Sequence, residues 1–71
     1  MTEKQMELVR HLWEMADMIH ENINGIWVSL DEQKRELPEY SSQYKKLDEE
    51  CELLLEAADY AQKIKDILNV L

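Results

Sequence analysis

Apolar residues recur along the first half of this chain in alternating steps of three and four. Val9, Leu12, Ala16, Ile19, Ile23, Ile26, Leu30 and Leu37 form one seam, interrupted only by Gln33. Such spacing is that of a helix packed lengthwise against another helix. Met6, Trp13, His20 and Trp27 repeat every seven residues on one flank of the seam, and Leu8 and Met15 lie on the other. The stripe is therefore wider than a two-stranded coiled coil needs, and it fits a bundle face better. Thr2 is a suitable N-cap, with Glu3 in the first turn where a carboxylate complements the helix dipole.

Asn24-Gly25 offers a turn and so a possible break. The register nevertheless runs from Ile23 through Ile26 to Leu30 without slipping, which predicts a continuous helix. Pro38 ends it, because the residue before a proline is pushed out of helical geometry. The reading is a helix over about 2–37, a connector over 38–41 and a helix over about 42–71 capped by Ser41 or Ser42.

The second helix has a seam of its own in Tyr44, Leu47, Cys51, Leu54, Ala58, Ala61 and Leu68, with Lys65 as its exception. A further apolar row begins at Leu53 and continues through Ala57, Tyr60, Ile64, Ile67 and Leu71. One partner helix cannot cover so broad a surface. The expected fold is all-α: a single-domain, long antiparallel helical hairpin over residues 1–71 that dimerises into a four-helix bundle. The core and dimer interface would draw on Val9, Leu12, Trp13, Ile19, Ile23, Ile26, Trp27 and Leu30. From the second helix it would draw on Leu54, Ala58, Ala61, Ile64 and Leu68.

Composition supports this picture. The 71 residues hold one Gly, one Pro, one Cys and no Phe. So short a chain sits near the stability threshold unless something supplements its core. A lone cysteine cannot form an internal disulfide, and no Cys/His cluster suggests a structural metal, which leaves oligomerisation. No apolar run is long enough for a membrane span. The polar start Met1-Thr2-Glu3-Lys4 does not read as a signal peptide, and the expected location is cytoplasmic.

The net charge of −8, from 16 acids and 8 bases, disfavours direct binding to nucleic acid or to anionic lipid and favours a basic partner. The acids are unevenly placed. No Lys or Arg lies between Arg10 and Lys34, where Glu14, Asp17, Glu21, Asp31 and Glu32 occur. None lies between Lys46 and Lys63, where Asp48, Glu49, Glu50, Glu52, Glu56 and Asp59 occur. In a hairpin turning near residue 39 or 40, residue i lies beside about 79−i, so the two acid-only stretches meet in mid-rod. In the second stretch the six acids over sixteen residues are spaced at about 4 Å, which approaches the ~3.4 Å of one DNA strand. The band reads as a solvated face or as a surface for a basic partner. Its candidate contacts are Glu14, Asp17, Glu21, Asp48, Glu49, Glu52, Glu56 and Asp59, with Tyr40 of the connector.

Candidate chemistry is sparse. Glu56-Ala-Ala-Asp59 has the ExxD spacing used by all-α nucleotide pyrophosphohydrolases to hold Mg²⁺. Of the two ExxE partners, Glu36–Glu39 straddles Pro38 and Glu49–Glu52 lies on the same helix. Carboxylates converging from two helices are thus not provided. Asp17 and His20 have the i, i+3 spacing of a metal pair, but Asp17 falls outside the seam and His20 shares the tryptophan row. Cys51 lies on a seam and has no neighbouring base, so it reads as a small core residue. No cofactor is expected. The functional expectation is a small acidic, non-catalytic protein acting by protein–protein interaction, an inhibitor, adaptor or regulatory subunit of the phage type. The alternatives are a nucleic-acid-mimicking inhibitor using the acid band and, third, a Mg²⁺-dependent pyrophosphohydrolase.

Overall fold

A computed structural model describes all 71 residues and contains two helices, α1 over Glu3–Arg35 and α2 over Ser42–Asn69. They fold back on one another as a hairpin measuring 55 × 14 × 12 Å. No helix is long and apolar enough to cross a membrane.

Local chemistry sets the helix ends. Thr2 opens α1 with a capping box: its hydroxyl accepts from the Gln5 amide at 3.2 Å, and its own amide donates to Gln5 Oε1 at 2.9 Å. Two of the amides left without helical partners at the start of α1 are satisfied in this way. Ser41 opens α2. Its hydroxyl accepts from the Tyr44 amide at 3.1 Å and donates to the Pro38 carbonyl at 2.8 Å, joining the turn to the helix. Helix α1 runs unbroken through Gly25, as the register predicts, and a Cβ there would meet no atom within 4 Å.

The first helix ends two residues before the predicted Leu37, and the connector is correspondingly longer. Glu36 is the C-cap at φ −85°, ψ −6°. Leu37, immediately before Pro38, lies outside the helix. The last turn of α1 carries Lys34 and Arg35, favourable at a helix C-terminus, and Arg35 pairs with Asp31 at 3.0 Å.

The helices face each other in a register close to the expected one. Lys34 lies 5.5 Å from the Tyr44 ring centroid and Lys65 lies 5.3 Å from that of Trp13. The residue numbers of these pairs sum to 78, and those of the ion pairs Lys34–Asp48 and Lys65–Asp17 to 82, so the contacts bracket the 79 that the sequence predicts. Only three residues are buried, Ala16, Cys51 and Ala61, and no large side chain is fully enclosed.

The seam itself requires a correction. On α1 the partly or fully covered positions are Val9, Trp13, Ala16, His20, Ile23, Trp27, Leu30 and Lys34, with Asp17 and Asp31 beside them in ion pairs. Val9, Ala16, Ile23 and Leu30 lie where the apolar pattern puts them. The alternate positions are taken by the Trp13–His20–Trp27 row, while Leu12, Ile19 and Ile26 are about half exposed. The physical reason lies across the interface. The covered positions of α2 include the small residues Cys51, Ala57, Ala58 and Ala61, which leave room for the bulky row of α1. Trp13 and Tyr44 receive the stems and ammonium groups of Lys65 and Lys34, so amphipathic lysines close both ends of the row.

Candidate functional site

The hairpin has two unlike faces, one on each side of the seam. The closed side carries Trp13, Trp27, Tyr44 and two inter-helix ion pairs. Lys65 Nζ donates to Asp17 Oδ1 at 2.8 Å, and Lys34 Nζ donates to Asp48 Oδ1 at 3.0 Å. Both lysines are well covered, with side chains 11% and 16% exposed. The hydrogen bond to Asp48 holds the Lys34 ammonium above its ordinary pKa, against the opposing effect of burial. The indole Nε1 atoms of Trp13 and Trp27 are enclosed with no acceptor from the protein. An enclosed N–H without a partner costs on the order of 1–3 kcal/mol, so packing rather than hydrogen bonding retains these rings.

The open side is an apolar groove of about 430 Å³ between the helices. Its floor is Ala16, Ile23, Ala57, Ala61 and Leu68, and its walls rise through Leu12, Met15 and Ile19 on α1 and Tyr60 and Ile64 on α2. All ten lining residues are hydrophobic. The walls extend beyond the groove in two heptad rows. Leu8, Leu12, Met15, Ile19 and Ile26 run along α1; Leu53, Tyr60, Ile64 and Ile67 run along α2. These nine side chains are 48–65% exposed. Both rows lie on the same side because antiparallel helices reverse the sense of their wheels, which turns the two outer flanks toward one face. Toward the loop the face becomes polar, with Gln33, Glu36, Gln43, Lys46 and Glu50 around Leu37 and Leu47.

The predicted core and interface residues thus divide between the two sides. Val9, Trp13, Ile23, Trp27, Leu30, Leu54, Ala58, Ala61 and Leu68 belong to the seam, whereas Leu12, Ile19, Ile26 and Ile64 stand on the open face.

The acid band divides as well. Asp17 is partly buried against Lys65, not on the free outer surface that the sequence implies, and Asp48 is tied to Lys34. Glu14, Glu21, Glu49, Glu52, Glu56 and Asp59 are exposed and make no ion pair. Tyr40 is 86% exposed in the connector. The sequence flags only one of these lysines, Lys65, as an exception on a seam. Lys34 continues the Trp13–His20–Trp27 row, and it is the inward turn of that row that brings it to Asp48.

Glu56 and Asp59 are exposed on α2, and no group of three or more His, Cys, Asp or Glu side chains is placed to hold a metal ion. Burial pushes the Cys51 thiol above its ordinary pKa, which keeps it protonated and weakly nucleophilic at neutral pH.

Comparison with known proteins gives no match to a protein-family model, a curated protein or a solved structure.

Proposed function

We propose that this protein acts without catalysis, as a helical homodimer that binds another protein and thereby serves as an inhibitor, adaptor or regulatory subunit. One observation carries the reading. The hairpin encloses only three small side chains, yet it holds a continuous apolar face open between its helices. Contiguous apolar surface of this size on a small protein marks an association site. Its cytoplasmic setting and basic partner remain part of the same proposal. Six exposed acids without ion pairs, together with a charge of −8, make the outer surface attractive to a basic protein.

Affinity capture from the native host at about 0.1 M and 0.5 M salt tests this reading. Screening at the higher concentration shortens the reach of charge to a few ångströms. Recovery of a stoichiometric partner only at low salt supports docking on the acids. Recovery at both supports an apolar or aromatic contact such as Tyr40. Turnover of any nucleotide in a panel supplied with Mg²⁺ or Mn²⁺ would overturn the non-catalytic assignment.

A further inference from the structure

We infer that the occupant of the open groove is the same face of a second copy, packed about a two-fold axis. The inference rests on the homodimer reading and deepens it by assigning the interface. Four observations carry it.

The first is area. Nine side chains about half exposed, at roughly 100 Å² each, give on the order of 900 Å² per copy. Two copies would bury about 1,800 Å², within the range of stable specific interfaces. The second is need. A hairpin with only Ala16, Cys51 and Ala61 buried lacks the core that a chain of this length requires to be stable alone. A second hairpin supplies the missing layer.

The third is charge. Two copies each carrying −8 repel unless their contact excludes the acids. All ten groove-lining residues are hydrophobic, and Asp17 and Asp48 are held in pairs with the lysines of the closed side. The fourth is self-complementarity. The rows share four-three spacing over Leu8, Leu12, Met15 and Ile19 on α1 and over Leu53, Ala57, Tyr60, Ile64 and Ile67 on α2, with Asn22 breaking the α1 row before Ile26. Over that stretch each presents knobs at the intervals at which the other presents holes. An isologous contact demands one surface that fits itself, and this face does so. The closed side, with Trp13, Trp27 and the ion pairs, then faces away from the bundle.

The experiment compares the wild-type protein with Ile19→Asp and Ile64→Asp, at the centre of the face, and with Leu55→Asp and Val28→Asp. The latter two positions are exposed apolar residues outside both rows. Size-exclusion elution and the urea midpoint are followed from 1 to 300 µM chain, about the range over which a micromolar dimer dissociates. The expected result is a wild-type midpoint that rises with concentration, as it must when unfolding releases two chains. Each central Asp should weaken the dimer by about 100-fold or more, because a two-fold axis buries two uncompensated charges. Leu55→Asp and Val28→Asp should leave it within about threefold, as surface changes do. Loss of folding in a central variant, with the controls still dimeric, also supports the inference.

A wild-type dimer unaffected by Ile19→Asp and Ile64→Asp overturns this interface and leaves the homodimer reading standing. A wild-type folded monomer with a concentration-independent midpoint overturns both, and assigns the face to a partner of different sequence.

Discussion

Lys65 is the residue at which the hairpin's register is most open to test. Its ammonium lies 2.8 Å from Asp17 and 5.3 Å from the Trp13 centroid, and its side chain is 11% exposed. At an effective dielectric of about 20, a pair at that distance gains roughly 6 kcal/mol before desolvation. Desolvation of the lysine and ordering of both side chains remove most of this, leaving about 1 kcal/mol for a partly exposed pair. The cation over the indole adds about 0.5–1 kcal/mol. Lys65→Ala should therefore destabilise by about 2 kcal/mol, or roughly 8–16 °C in Tm for a domain of this size.

The assay is urea unfolding followed by circular dichroism, at one fixed chain concentration, for Lys65→Ala, Asp17→Asn and the double variant. The expected coupling energy is about 1 kcal/mol, falling as salt rises. The exchanged pair Asp17→Lys with Lys65→Asp should regain part of what Lys65→Asp alone loses. A coupling below about 0.2 kcal/mol, with no recovery in the exchanged pair, would refute the claim that this ion pair helps fix the register.

Gly25→Ala should stabilise by about 1 kcal/mol, because glycine is a poor helix former and the added methyl meets open space; a lower urea midpoint would show that another surface packs closely there. Thr2→Ala should cost about 1 kcal/mol through loss of the capping box, seen as faster amide exchange over the first turn of α1. Stability should also fall in alkali. The folded Cys51 thiol holds its proton to higher pH than the unfolded one, so its contribution is complete below about pH 9 and is lost as pH rises through the folded value. The raised pKa of Lys34 acts in the same direction at still higher pH. Comparing urea midpoints at pH 8 and pH 10 checks this, and Cys51→Ala should reduce the difference.

The long helices, their caps and the turn at Pro38 were legible because each depends on local chemistry. So was the register, since a short connector leaves few ways to fold back. The choice of inward row was harder. Leu12, Ile19 and Ile26 look more like core than Trp13, His20 and Trp27 when α1 is read alone, because hydrophobicity ranks them higher. The arrangement is decided by fit across the interface, where α2 presents the small residues Cys51, Ala58 and Ala61 and Lys65 covers Trp13. Size complementarity between two segments is not visible in the periodicity of either one. The same holds for the acid band. Spacing alone groups Asp17 and Asp48 with the free acids, and only the geometry shows that each answers a lysine on the other helix.

Each chain has a mass of 8.5 kDa, and the central claim is that two of them share one core. Sedimentation equilibrium of the wild-type protein at neutral pH and about 0.15 M salt, where long-range repulsion is screened, measures this directly. The account predicts a mass twice that of the chain at micromolar concentration, dissociating only as helical structure is lost. A fully helical, folded species of 8.5 kDa across the whole concentration range would contradict it.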